Sequence, residues 1–175
     1  MRKHGIGGAA AAAMAFAALA ASGGAAPAAA QDGALVSFDV MKPEIALQLA
    51  QGALEACRAR DAQVAVAVVD RFGVLQVLLR DRFAGAHTPE AARRKAWTAA
   101  SFRGDTLTLA ETTRPGTEAH GATFIDGALM LGGGVPVDAA GSLVGAVGVS
   151  GAPSGEIDDA CARAGIDAVA ADLAF

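Results

Sequence analysis

The stretch GGGVPVDAAGSLVGAVGVSGAPSG, residues 132–155, decides the fold. Two apolar runs, residues 128–137 and 142–150, flank Asp138-Ala139-Ala140-Gly141. Apolar runs of strand length joined by a short glycine turn make an antiparallel hairpin. Gly145 and Gly148 fall mid-strand, where glycine weakens a strand unless backbone or a ligand comes close. Gly132, Gly133 and Gly134 before Val135-Pro136 point to a bulge or kink. Gly151-Ala152-Pro153-Ser154-Gly155 is the exit turn into a following helix.

The same glycines fail every phosphate or nucleophile pattern. A dinucleotide cradle needs G-x-G-x-x-G, but the spacing here is Gly145-x-x-Gly148-x-x-Gly151. A P-loop needs Gly-Lys-Ser/Thr, and Lys95 is the last lysine of the chain. A nucleophile elbow needs G-x-S-x-G; Gly148-Val149-Ser150-Gly151-Ala152 lacks the final glycine, and no histidine follows it. The run builds the sheet.

Working outward, the elements alternate. Asp39 is a candidate cap for a first helix with Pro43 in its first turn. Ala46, Leu47, Ala50, Ala53, Leu54 and Cys57 make its apolar face, and Glu44, Gln48, Gln51, Glu55 and Arg58 its polar face. Residues 64–69 and 74–79 are strands around the turn Arg71-Phe72-Gly73. Thr88-Pro89-Glu90 starts a second helix running to Phe102, with Thr88 as cap. Residues 105–124 are polar and short-helical or irregular. Residues 154–173 form a last helix with Ile157, Cys161, Ala164 and Ala168 on one stripe. The order α-β-β-α-(α)-β-β-α gives class α+β: one domain, an antiparallel sheet carrying helices.

Residues 1–30 read as a secretory signal peptide, so the protein is expected to be exported, periplasmic or secreted. Arg2, Lys3 and His4 precede an alanine-rich run, and Ala28-Ala29-Ala30 precedes Gln31. The run falls short of the roughly 20 apolar residues that span a bilayer, so no membrane insertion is expected. Residues 31–175 have the length of one domain. The formal charge is −4, and losing Arg2 and Lys3 makes it more negative. That balance, with no Tyr and 5% aromatic residues, argues against nucleic acid as a partner. Cys57 and Cys161, one near each end of residues 31–175, permit one disulfide in an oxidising compartment; two buried thiols satisfy the same pattern.

The ordered set VAVVDRFG, TPEAARRKAWTAASF, LGGGVPV…GSLVGAVGVSGAPSG and CARAG resembles the extracellular haem-binding proteins of the HbpS/GlcG type, a haem-degrading family. The resemblance covers residues 46–169. It implies a profilin-like sheet of about five strands with helices, a multi-subunit, often octameric homo-oligomer, and haem as cofactor. It further implies haem or iron sensing beside a membrane sensor kinase.

Haem iron takes imidazole, thiolate, thioether or phenolate ligands. Residues 31–175 offer two histidines and no Tyr: His87, in a loop before the second helix, and His120, in the polar segment. Both are candidate haem-iron ligands, and both also suit solvated loop positions. On the second helix Lys95, Thr98 and Phe102 share a face, with Arg94 on a neighbouring strip. Cations, a hydroxyl and an aromatic ring suit an amphipathic anionic ligand such as haem, with propionates on Lys or Arg. The alternative is lysine and arginine lying over the sheet edge while Phe102 fills the core. Alanines 92, 96, 99 and 100 give this helix a flat side, for the sheet or for a neighbouring subunit. Glu156-Ile157-Asp158-Asp159 is an E-x-x-D pattern placed to stabilise a helix start. No histidine lies in residues 31–63, where the family has one.

The expected function is therefore an exported haem-binding protein acting in sensing, scavenging or slow degradation. Two rivals use the same residues differently. One is an enzyme or enzyme accessory acting on a small organic acid through Arg94 and Lys95 without haem. The other is a structural or partner-binding oligomer.

Overall fold

The computed structural model describes Met1 and residues 35–174; the expected signal peptide lies outside the described residues. Residues 35–42 have no regular structure and lead into α1, Pro43–Arg58. The chain then forms β1 (Ala65–Asp70), β2 (Leu75–Arg80), α2 (Thr88–Phe102), α3 (Thr106–Thr112) and a 3₁₀ turn (Glu118–Phe124). It closes with β3 (Gly134–Ala139), β4 (Ser142–Ser150), α4 (Gly155–Ala168) and the one-turn α5 (Ala170–Leu173).

The sheet has order β2-β1-β4-β3, antiparallel throughout. It has four strands, where the sequence reading expects about five. Residues 128–133 stay outside the ladder: Gly132 lies against Gly155, and Gly133 makes one bond to β4, its carbonyl accepting from the Val149 amide at 2.9 Å. β3 shifts register between Val137 and Asp138. The β3–β4 turn is Ala140-Gly141, with φ of 48° and 76°. Two successive positive φ values are the geometry that two-residue hairpins favour.

The two faces of the sheet differ in size. Val66, Val68, Val137, Val147 and Val149 point to one face and pack under α1 and α4. Ala65, Ala67 and Ala146 point to the other, under Ala92, Ala96, Ala99 and Ala100 of α2. The alanine side of α2 thus lies on the sheet. A Cβ on Gly148 would collide with the Ala92 carbonyl and lie 2.6 Å from the Ala96 nitrogen. The glycine lets helix backbone rest on strand backbone, the close approach that its mid-strand position anticipates.

Four local expectations shift. α1 has Lys42, not Asp39, at its cap position, with no side-chain capping bond. Its buried stripe runs Ala46, Leu49, Ala50, Ala53, Leu54 and Cys57, and Leu47 is exposed. α2 begins at Thr88, whose hydroxyl donates to the Gly85 carbonyl, and His87 occupies the cap position. The last helix breaks at Val169. Its buried side is Asp158, Asp159, Cys161, Ala162 and Gly165, and Ser154 is the cap that accepts from the Ile157 amide. Ala168 is exposed because Gly165 carries the contact: a Cβ there would lie 2.6 Å from the Leu49 carbonyl on α1. Cys57 and Cys161 are bonded, with Cα atoms 5.4 Å apart, and join α1 to α4 in the core. No helix among the described residues is long and apolar enough to cross a membrane.

Candidate functional site

Lys95 is 1% exposed. Its Nζ donates to Asp158 Oδ2 at 2.8 Å and to the Val149 carbonyl at 2.8 Å. Asp158 Oδ1 accepts from the Ala152 amide at 3.0 Å. The pair therefore ties α2, the end of β4 and the first turn of α4 together. Burial pushes the Lys95 ammonium below its ordinary value and the Asp158 carboxyl above its own, against the pull each charge exerts on the other. The triple glycine fits around this pair. A Cβ on Gly133 would stand 2.6 Å from Asp158 Cβ and 3.2 Å from Lys95 Nζ; one on Gly134 would strike the Lys95 carbonyl.

Arg94 and Thr98 act on another segment. Arg94 donates from Nη2 to the Ala128 carbonyl at 2.6 Å and from Nε to that of Gly127 at 3.3 Å. The fully buried Thr98 hydroxyl donates to the Arg94 carbonyl and accepts from the Leu129 amide at 2.9 Å. Together they clamp residues 127–129 against α2. Phe102 is half-buried at the end of α2. The candidates on α2 thus divide, Lys95 into the ion pair and Arg94 with Thr98 onto the clamp.

The two histidines are also separated. His87 is exposed, and its ring lies over Gly85. It lines a cavity of about 310 Å³ with Ala91, Lys95, Ser150, Asp158 and the 151–155 turn. His120 is half-buried in the 3₁₀ turn, and its Nδ1 lies 2.9 Å from the Thr113 carbonyl oxygen. A carbonyl only accepts, so Nδ1 carries the proton and Nε2 holds the free lone pair. Metal-binding histidines are prepared this way, the second nitrogen donating to a carbonyl or carboxylate. Phe124 packs edge-on against the His120 ring at 5.4 Å. Phe124 and Ile125 beside it are exposed.

This donor set fits a haem. It offers a half-buried imidazole with an oriented lone pair and exposed apolar side chains one turn away. Arg94 is bound to the carbonyl of Gly127 in the same segment.

Residues 41–167 match the model for "Haem degrading protein HbpS-like". The chain belongs to the HbpS-like family. It is 42% identical to a double mutant of HbpS from Streptomyces reticuli, over 82% of this chain and 97% of that one, with a TM-score of 0.73. It is 30% identical to PduOC, solved as a haem complex, over 74% of this chain and 94% of that one, with a TM-score of 0.69. It is also 32% identical over 106 residues to the corrinoid adenosyltransferase PduO of Salmonella typhimurium, 59% of this chain. The chain spans about a third of the length of that curated relative.

Sequence reasoning missed Asp158 as the partner of Lys95, because 63 residues separate them. It missed Thr113, whose contribution is a backbone carbonyl and carries no side-chain signal. Asp159, read with the E-x-x-D pattern, binds Arg163 Nε at 2.8 Å, and that arginine also reaches Asp105 at 2.9 Å.

Proposed function

We propose that this chain is an exported haem-binding protein that holds the iron through Nε2 of His120. The observation that carries the reading is the 2.9 Å contact of His120 Nδ1 with the Thr113 carbonyl, which leaves the second nitrogen as a ligand. The haem complex of PduOC and the family match support haem as the ligand class. Phe124 and Ile125 would flank the macrocycle, and Arg94, with N–H groups beyond those given to Gly127 and Ala128, would meet a propionate. Bound haem supplies a redox-active iron suited to sensing, scavenging or slow degradation. Lys95 is left out of the ligand set, since its ammonium is already paired inside the protein.

Export is part of the proposal, supported by the pattern of residues 1–30 and by the Cys57–Cys161 bond. So is a multi-subunit particle, supported by the exposed apolar side chains Phe72, Val74, Leu75 and Leu78 on and beside the edge strand β2. A membrane sensor kinase as partner rests on family resemblance alone.

Haemin titration of the full chain, followed in the Soret band, is the test. The wild type should saturate at micromolar haemin. His120→Ala should weaken uptake at least tenfold, about 1.4 kcal/mol, and His87→Ala should leave it within twofold. The reverse pattern overturns the axial assignment. A flat wild-type titration overturns haem binding itself.

A further inference from the structure

We propose that residues 105–126 form a strap that opens and closes as one unit and so gates the haem. The inference rests on the haem reading above, because the strap carries His120. Its first support is where the hydrogen bonds go. Among the described residues, every hydrogen bond of residues 107–126 runs to another residue of 105–128. The Arg114–Glu111 ion pair is internal as well. Thr113 is the one buried residue between Leu107 and Asp126, and His120 binds its carbonyl. The segment is tied within itself and gives little side chain to the core.

The polar ties to the rest of the fold sit at the two ends. At one end Asp105 accepts from Arg163 Nη2 at 2.9 Å. Beside it the fully buried Thr106 hydroxyl donates to the Leu131 carbonyl and accepts from the Gly134 amide, both at 2.7 Å. At the other end Arg94 and Thr98 clamp residues 127–129. A glycine flanks each end: Gly104 before Asp105, and Gly127, at φ 87°, after Asp126. Swinging on these two glycines breaks the bonds of Asp105 and Thr106 and the contact of Leu107 with Gly132, and keeps the Arg94 clamp. Asp105 and Thr106 are thus the latch. Segments with few buried side chains and local hydrogen bonds open at lower free energy than a core sheet. Lids turn on a few hinge residues of this kind. Opening carries His120 Nε2, Phe124 and Ile125 away together, and closure returns them together.

Hydrogen exchange on the haem-free full chain tests the unit. The amides of Thr113, Thr117, His120 and Ile125 should share one opening constant, larger than that of the β1 and β4 amides. Asp105→Ala should raise the shared constant about two- to fivefold, the range of an exposed ion pair. Thr106→Val, which keeps the buried volume, should raise it about tenfold. Replacing Cys57 and Cys161 by alanine weakens only what stays closed while the strap opens, so it should speed the β4 amides and leave the strap amides unchanged. Haemin at ten times its Kd should slow the strap amides about tenfold by mass action. Haem release to excess apomyoglobin should quicken in Asp105→Ala by the same factor as the exchange, with the Soret position unchanged. Unrelated opening constants along the strap, their acceleration by the cysteine substitutions, or haem release indifferent to Asp105→Ala would each overturn the proposal. A flat haemin titration overturns the haem reading and the gate with it; concerted exchange would then remain as a property of the fold alone.

Discussion

Lys95 shows how far a residue's surroundings redirect its chemistry. In sequence it is a helix cation beside a threonine, ready for an anionic ligand; in the fold it faces Asp158 and Val149. Asp158→Asn leaves the ammonium buried without a counter-charge. It should destabilise the protein by about 3–5 kcal/mol in urea unfolding. Replacing both partners with apolar residues, Lys95→Met with Asp158→Leu, should recover most of that loss. A double variant as unstable as Asp158→Asn would show that the charges themselves hold α2 to α4.

Asp81 gives a pH signature of its own. Arg58 donates to both its oxygens, at 2.8 and 2.7 Å, and holds the carboxyl below the ordinary aspartate value. A lowered folded value contributes stability that is complete above the unfolded value of about 3.9 and fades as pH falls through the folded one. The Tm gap between wild type and Asp81→Asn should therefore stay constant down to about pH 5 and narrow below about pH 4. A gap that does not change with pH in calorimetry would mean that packing, not charge, makes the difference.

At the scale of elements, periodicity made the fold legible. The hairpins and α2 follow from apolar runs of strand length, glycine turns and an N-terminal proline, all local signals. Leu47 and Leu49 show the limit of that reading: both fit an apolar stripe, and only the direction of α4 decides that Leu49 is the buried one. The site was less legible for the same reason. His120 gains its meaning from a carbonyl seven residues earlier. Gly148 gains its meaning from the α2 backbone that rests on it. That contact is testable. Gly148→Ala must lift α2 from the sheet, and overpacking of this kind costs about 1–3 kcal/mol. Gly121→Ala, with nothing within 4 Å of the new methyl, should change stability by less than about 0.5 kcal/mol. Equal effects would refute the backbone-on-backbone packing.

At the scale of the whole molecule, the crosslink and the haem proposed above both bear on stability. Haem at a free concentration 100 times its Kd should add about 2.7 kcal/mol by mass action. The added stability should disappear in His120→Ala, and thermal melts with and without haemin measure both. Replacing Cys57 and Cys161 by alanine should remove about 2–5 kcal/mol, since the bond closes a long loop. A loss under about 1 kcal/mol would mean that the α1–α4 contact stands without it.

That bond has a topological meaning as well. Cys57 and Cys161 are 104 residues apart, so most of the described chain is a covalent ring with two tails. A single peptide cut inside the ring leaves two polypeptides that the Cys57–Cys161 bond still holds together. The exposed residues 114–119 are the natural place for such a cut, and Glu118 offers it to a glutamate-specific protease. The nicked protein should run as one band without reductant and as two with it. Its new ends would fall two residues before His120, so a molecule that still passes as whole by mass would have lost the backbone link between Thr113 and His120.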